Sequence, residues 1–346
     1  MKFGSESLKK FLQDILMDEG MSATHAENVA AVIDWANLRG ADSHGIMRIP
    51  QYLKFIGDGD LDPRAEPEIA VDALALFMIE AHKSAGQVAA SMVVDEAVTR
   101  ARQFGLSWGL VRQTSHTGPV GYYAQQIARN NMIGIVTAAT VPLMAYQGSR
   151  VENLGTNPLS IAVPAGNGET VLFDMATSVA SKGRITQAAL KDEKIPESWA
   201  LDEAGKPATR GKDARVLLPM SGAKGAGLAL MFEFLNSVLA GNPIISQMIQ
   251  PGANRFHNHN ASCLAIDIEK IREVESFKLD ADALIQAMAD QPKAQGVEEI
   301  RMPGTKGTRI EKERLRTGVP VADGLWQQLC SIAEQKNLTP PAPLTD

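Results

Sequence analysis

The chain has 346 residues, of which 45% are hydrophobic and 21% are charged. This is an ordinary globular composition with enough length for about two domains. A formal net charge of −6 and a sequence pI of about 5.6 argue against a nucleic-acid or an anionic-membrane partner. The two cysteines, Cys263 and Cys330, cannot build a disulfide framework, which favours a reducing, cytoplasmic environment. No uncharged apolar run approaches the ~20 residues that a membrane span needs.

The first sixty residues predict helices. The apolar face of the first helix is formed by residues at helical spacing, namely Leu8, Phe11, Leu12, Ile15 and Leu16. Thr24 and Glu27 have the spacing of a capping box for a second helix, which we expect to end near Gly40. Ser43 is then the predicted N-cap of a third helix, with Pro50 tolerated only in its first turn.

Beyond about residue 75, short apolar strands alternate with helices, which indicates a sheet covered by helices. The predicted strands cover residues 106–112, 133–139, 159–163, 170–174 and 215–219. The predicted helices cover residues 119–130 and 227–240, with further helical texture at 280–290 and 311–337. Residues 251–263 are predicted to form a polar loop.

The stretch GADSHGIMR, residues 40–48, is the first candidate for chemistry. If Ser43 caps a helix, His44 and Arg48 share one face of it, with Tyr52 one turn further on. An imidazole exchanges a proton near neutral pH, and a guanidinium holds a carboxylate through two parallel hydrogen bonds. Together they would suit a 2-oxo or 2-hydroxy acid. The alternative is an ordinary surface helix start.

The stretch QTSHTGPVGYY places His116 between a predicted strand and the start of a helix. Backbone N–H groups at such a position attract an anion, and Thr114, Ser115 and Thr117 add hydroxyl groups. A capped helix with a solvent-facing histidine remains the alternative.

A glycine-rich segment follows the strand predicted at 215–219. Lys224 lies between Gly222 and Gly225, and such a loop can surround a phosphate with its amides while the lysine adds a charge. The glycine order differs from the Rossmann fingerprint, so a purely structural turn is an equal alternative. At another predicted strand end, Asp174 could hold a ribose hydroxyl or a histidine, or simply cap a turn.

Metal chemistry is not predicted. His257, His259 and Cys263 invite a zinc interpretation, but they fall in the predicted polar loop without regular ligand spacing. The segment GDGDLDP, residues 57–63, lacks the bidentate glutamate of a calcium loop, so we interpret it as a turn.

Several segments, taken in order, resemble the type-2 malate/L-lactate dehydrogenase family, from the first helix to about residue 330. They are RGADSHGIMRIPQY, SHTGPVGYYA, LGTNPLSIAVPA, FDMATS, IPESWALDEAGKP and AKGAGLAL. That family includes ureidoglycolate dehydrogenase, sulfolactate dehydrogenase and 2,3-diketogulonate reductase. The resemblance implies an NAD(P)H-dependent enzyme that interconverts a small 2-oxo acid and a 2-hydroxy acid, or alternatively reduces a cyclic imine 2-carboxylate.

The resemblance also implies an α/β fold with a non-Rossmann NAD(P)-binding domain, a mixed sheet covered by helices, over residues 75–295. A helical substrate and dimerisation domain would be built from both chain ends, residues 1–74 with 296–346. The expected cofactor is NAD, with NADP possible, the expected substrate is a small carboxylate, and the expected assembly is a homodimer.

By the same resemblance, His44 and His116 are two candidates for the catalytic acid/base, with Ser43 orienting His44. Arg48 would hold the substrate carboxylate. From its spacing one turn further along the same predicted helix face, Tyr52 is expected to bind the substrate as well. The implied cofactor-binding residues are His116, Thr117, Gly118, Thr140, Thr156, Asn157, Asp174, Met175, Ala176, Lys224, Gly225, Gly304, Lys306, Gly307 and Thr308.

This chain departs from the family pattern in two places. It has SGAKGAG where relatives often carry GGHKGYG, so Ala223 and Ala226 replace a histidine and an aromatic residue. It also has Arg184 where many relatives have lysine. Two other classes of protein stay open, a non-catalytic nucleotide-binding protein and a zinc hydrolase. The motifs SHGIMR and SHTG count against the former, because cofactor binding alone needs neither.

Overall fold

The computed structural model describes residues 1–253 and 258–344. The helices are α1 (Ser5–Asp18), α2 (Ala23–Leu38), α3 (Ile49–Asp58), α4 (Gly86–Phe104), α5 (Val120–Arg129), α6 (Lys182–Leu190), α7 (Ala223–Glu233), α8 (Ile245–Met248), α9 (Val274–Ala289), α10 (Thr305–Thr317) and α11 (Asp323–Gln335). The strands are β1 (Lys2–Phe3), β2 (Glu68–Ala73), β3 (Leu76–Glu80), β4 (Leu106–Thr114), β5 (Met132–Ala139), β6 (Leu159–Pro164), β7 (Thr170–Met175), β8 (Ala200–Leu201), β9 (Val216–Leu217), β10 (His259–Asp267) and β11 (Val319–Pro320).

Seven strands form one mixed sheet in the order β2-β3-β4-β10-β5-β6-β7. Strands β3 and β4 are parallel, and every other neighbouring pair is antiparallel. The expected mixed-sheet α/β fold is therefore confirmed, and the described strands do not close into a barrel. No helix within the described ranges is both long and apolar enough to cross a bilayer.

Helices cover both faces of the sheet. Because neighbouring residues along a strand point to opposite faces, each strand contributes side chains to both helix–sheet interfaces. Val136 of β5 and Cys263 of β10 join the apolar core beneath α4 and α5. The adjacent Thr137 and Ser262 point the other way, where the Thr137 hydroxyl lies 3.1 Å from the Asn236 amide oxygen. Asn236 belongs to a π-helical continuation of α7, residues Phe234–Val238.

The two chain ends meet in a second core. Strand β1 pairs with β11, and the rings of Phe3 and Trp326 lie 4.0 Å apart. This core joins α1, α2 and α3 to α11. The sheet begins before residue 75, because the hairpin of β2 and β3 turns at Leu74. The proposed boundary at 74 thus falls within that turn, and the domain limits stay a prediction.

The segment after α2 differs from the prediction. Ser43 does not cap a helix, because residues Asp42–His44 and Ile46–Arg48 form two short 3-10 turns before α3 begins. His44 and Arg48 therefore do not share the face of one α-helix. Pro50 does lie in the first turn of α3, as expected. The predicted N-cap of α2, Thr24, was also wrong. The N-cap is Ser22, whose side chain accepts from the His25 N–H.

The prediction of a loop was wrong for residues 259–263. They form the start of β10, near the middle of the sheet. Residues 254–257 of the predicted loop lie outside the described residues, and the polar residues Asn260 and Ser262 of β10 are buried and hydrogen-bonded. Asn260 donates to the Ser237 hydroxyl at 3.0 Å and to the Asn242 carbonyl at 2.9 Å. Tertiary partners of this kind pay the desolvation cost that would otherwise keep such residues at the surface.

The glycine-rich segment is also shorter than predicted. The strand expected at 215–219 is reduced to the two residues of β9, and α7 begins at Ala223 instead of residue 227. Lys224 and Gly225 therefore lie in the first turn of a helix.

Candidate functional site

A cleft lies between the turns that follow α2, the segments that follow β4, β5 and β7, and the start of α6. Its volume is about 630 Å³. Sites for small molecules are usually ~300–1,000 Å³, so this cleft has the size of a ligand-binding site. The predicted site residues that line it are Ser43, His44, Arg48, His116, Thr117, Gly118, Thr140, Thr156, Asp174, Met175 and Ala176.

His44 is held by its neighbour in sequence. The Ser43 hydroxyl lies 3.0 Å from His44 Nδ1. Burial, reinforced by the positive charge of Arg48, lowers the pKa of His44 to about 4. The imidazole is therefore neutral at physiological pH. With Ser43 donating to Nδ1, its proton resides on Nε2.

His116 is oriented from behind by a chain of polar groups. The hydroxyl of Tyr52 lies 2.8 Å from His116 Nδ1, and the Gln87 amide donates to that hydroxyl at 2.7 Å. The Gly118 N–H donates to the same ring nitrogen at 3.2 Å. Nδ1 thus acts as an acceptor, which places the proton of the neutral ring on Nε2. Burial raises the pKa of Tyr52 to about 12, so its hydroxyl keeps its proton.

Three imidazoles gather in the cleft. The rings of His44 and His116 are stacked with centroids 5.5 Å apart, and the ring of His259 lies edge-on to His116 at 5.7 Å. The two predicted candidates for acid/base chemistry, from segments far apart in sequence, therefore lie side by side.

Arg48 is fixed at two points. Its Nε donates to the Ser43 carbonyl at 2.6 Å, and Nη1 donates to the Gln51 side chain at 2.6 Å. Burial lowers the pKa of Arg48 below its ordinary value, but a guanidinium starts so high that it stays charged at neutral pH. The cleft therefore contains a fixed positive charge beside the two stacked imidazoles.

Asp174 supplies a carboxyl to the lining of the same cleft. Solvent reaches it, yet the surrounding protein desolvates it and raises its pKa to about 6. A hydrogen bond from the Gly121 N–H and the charge of Arg39 both oppose this rise. Near neutral pH the group is mostly an acceptor-only carboxylate, suited to hydroxyl groups.

The remaining predicted residues lie away from the cleft lining. Tyr52 is buried behind His116, and the Asn157 side chain is buried between the Thr140 N–H and the Ala229 carbonyl. Lys224 is exposed at the start of α7, above the buried Gly225.

The predicted segment 304–308 surrounds Arg39. The Arg39 guanidinium donates to the Gly304 carbonyl at 3.2 Å and to the Thr308 hydroxyl at 3.4 Å. Gly307 and Lys306 belong to the first turn of α10 and do not line the cleft.

Some cleft residues were missed by sequence reasoning. They are Met47, Gln51, Val141, Leu143, Lys182, Thr186 and His259. Met47 and Gln51 lie inside a motif that sequence analysis had singled out, so the motif itself was the available signal. Lys182 and Thr186 lie on α6, a helix that was not predicted.

The zinc interpretation gains nothing from the described residues. Cys263 is buried in the sheet, where desolvation raises the pKa of its thiol to about 12. His257 lies outside the described residues. Within 1–253 and 258–344, no group of three or more His, Cys, Asp and Glu side chains is placed to hold a metal ion.

A mixed α/β fold whose cleft gathers imidazoles, a guanidinium and a carboxyl is that of an enzyme equipped for acid–base chemistry. More particularly, the chain belongs to the malate/L-lactate dehydrogenase family, whose model matches residues 3–330, and it is an oxidoreductase.

Individual relatives match along almost the whole chain. It is 30% identical over 335 residues to ureidoglycolate dehydrogenase (NAD(+)) from Escherichia coli O157:H7, covering 96% of each chain. It is 33% identical over 337 residues to L-sulfolactate dehydrogenase from Methanocaldococcus jannaschii, again covering 96% of each. The crystal structure of malate dehydrogenase from Entamoeba histolytica shares the fold with a TM-score of 0.93 at 24% identity, covering 99% of both chains.

Proposed function

We propose that this protein interconverts a small 2-oxo acid and the corresponding 2-hydroxy acid with NAD(H) as its redox partner. The observation that carries the proposal is the stacked pair His44 and His116 in one cleft with the fixed guanidinium of Arg48. A cationic clamp and a proton carrier are the two things that a 2-oxo acid requires from the protein.

The polar lining of one wall of the cleft suits a nicotinamide cofactor. Thr140, Thr156 and the segment 174–176 would hold it, with the Asp174 carboxylate accepting from ribose hydroxyls. When bound, the nicotinamide supplies hydride exchange with the substrate carbon. NAD is preferred over NADP because the ureidoglycolate dehydrogenase relative is named for NAD(+).

The chain's own residues would position the acid and move one proton. Arg48 binds the substrate carboxylate. In the direction of reduction, a charged His116 ring would donate its Nε2 proton to the substrate oxygen and become neutral, keeping the proton on Nδ1, which the Tyr52 hydroxyl 2.8 Å away can accept. The reverse reaction returns the proton from the substrate hydroxyl to Nε2. His44 stays neutral and donates a hydrogen bond to the same oxygen, since its pKa of about 4 disfavours the charged ring.

Two further properties belong to this proposal. We expect a homodimer, as the family resemblance implies. We also expect a cytoplasmic enzyme, because Cys263 and Cys330 are both free thiols.

The direct test is the loss of NADH or NADPH absorbance with a panel of substrates. The panel contains pyruvate, oxaloacetate, 2-oxoglutarate, diketogulonate and piperideine-2-carboxylate, with ureidoglycolate oxidation followed in reverse. Turnover of a 2-oxo acid is the expected result. Turnover of the cyclic imine alone would replace the proposed substrate class, and NADH binding without turnover across the panel would count against it.

A further inference from the structure

His44 lies on a 3-10 turn, so its position depends on what holds that turn. The residue before Ser43 is Asp42, and its carboxylate receives Arg314 from α10. Nη1 of Arg314 lies 2.5 Å from Asp42 Oδ1, and Nη2 lies 3.2 Å from Oδ2. Nη1 also donates to the backbone carbonyl of Asn37 near the end of α2. One guanidinium therefore joins the turn to the helix that precedes it.

The other side of the turn is anchored by Asn37. Its side-chain oxygen accepts from the Ile46 N–H at 3.0 Å. Gly45 makes this possible, because a Cβ at residue 45 would lie 1.9 Å from that oxygen. Both flanks of His44 are thus tied to the last turn of α2, one through Asn37 and the other through Arg314.

Arg314 is well placed to hold the turn around His44. Its side chain is 14% exposed, and it contacts both carboxylate oxygens of Asp42, a two-point geometry that fixes orientation as well as distance. Exposed ion pairs usually contribute little to stability, so the effect of this pair is expected mainly in the geometry of the turn.

We propose that Arg314 is a positioning residue for the reaction, holding the turn 42–44 so that His44 stays stacked on His116. The proposal rests on the proposed function, because it needs His44 to act on the substrate. Asp42 is its partner, and Asn37 completes the anchor.

Helix α10 has an independent attachment. The Arg39 side chain donates to Glu311 at 2.7 Å and to the Gly304 carbonyl at 3.2 Å. Loss of the Arg314 side chain should therefore leave α10 docked, which allows the turn to be disturbed without detaching the helix.

The test measures Arg314→Met, Asp42→Ala and the double variant that carries both changes. Lys312→Ala is measured beside them as a control. Lys312 lies on the same helix and its ion pair with Glu169 is exposed, which makes it the matched control. We expect Arg314→Met to lower kcat by about tenfold or more, since a displacement of ~1 Å costs about 10²-fold. The KM for NADH should stay within about twofold, and the double variant should lose no more than Arg314→Met alone.

A second variant separates positioning from stability. In Arg314→Ala, added guanidinium ion should restore part of kcat, whereas sodium chloride at equal ionic strength should not.

A kcat for Arg314→Met within about twofold of wild type would overturn the proposal, as would losses in the two single variants that simply multiply in the double variant. If the wild-type enzyme turns over no substrate, the proposed function fails and this inference fails with it. If the wild type is active and Arg314→Met keeps the wild-type kcat, this inference alone is wrong.

Discussion

The imidazole rings of His44 and His116 face each other with centroids 5.5 Å apart and planes inclined by 19°. Their surroundings differ. His44 contacts Ser43 and lies near the charge of Arg48, whereas His116 is backed by Tyr52. Two titratable groups in contrasting environments are suited to different roles in one proton transfer.

The division of roles between the histidines is tested by exchanging each for glutamine. We expect His116→Gln to lower kcat by ~10²–10⁴-fold, the usual contribution of a positioned acid or base. His44 is neutral above about pH 4, so His44→Gln should lower kcat but keep the wild-type shape of the kcat/KM profile between about pH 5 and 8. A profile altered by His44→Gln and unchanged by His116→Gln would reverse the assignment.

Arg48 is expected to bind the substrate carboxylate. Arg48→Met should raise the KM for the acid and lower kcat/KM more than tenfold, because a lost charged contact costs ~2–5 kcal/mol. The affinity for NADH, measured by fluorescence titration, should not change. Arg316→Met provides a control, since Arg316 is exposed on α10. An unchanged kcat/KM would exclude the clamp.

Tyr52 is expected to act through His116. Tyr52→Phe removes the hydroxyl that lies between Gln87 and His116, and we expect kcat to fall about tenfold with a shifted pH profile. Tyr122→Phe is the matched control, because Tyr122 packs edge-on against Trp35 and does not line the cleft. If Tyr52→Phe lowered the melting temperature but left kcat and the pH profile of the wild type intact, its role would be packing alone.

Asp174 is expected to give cofactor binding a pH dependence. Its pKa is raised to about 6, so it is a carboxylate above that pH and a neutral acid below it. The carboxylate is the better acceptor for ribose hydroxyls, and the Kd for NADH should therefore rise severalfold as the pH falls from about 7 to 5. Asp174→Asn should flatten this dependence. A wild-type Kd that is constant over the same range would place Asp174 away from the cofactor.

The sequence predicted the elements with strong local periodicity, such as the apolar face of α1 and the strand β5. It failed at β10, where buried Asn and Ser side chains find partners on distant segments. It also placed Ser43 at a helix start, because a serine before a polar turn satisfies local capping rules equally well in either structure.

For the site, the motifs predicted three of the segments that line the cleft, those of His44, His116 and Asp174, but they did not predict the start of α6. Contacts between those segments were not predictable from spacing. Arg314 and Asp42 are 272 positions apart, and nothing local to either residue indicates the other. Tyr52 was expected at the substrate for the same reason, because spacing along the chain does not show that His116 lies between Tyr52 and the cleft.

The most direct test of the central claim is the fate of the hydride. The enzyme would reduce the best 2-oxo acid of the panel with NADH that carries deuterium at the transferred position of C4. Mass spectrometry would then measure the deuterium in the product. Our account predicts one deuterium at C2 of the 2-hydroxy acid for each NADH consumed. A 2-hydroxy acid without deuterium at C2, or NADH consumption without a reduced acid, would contradict it.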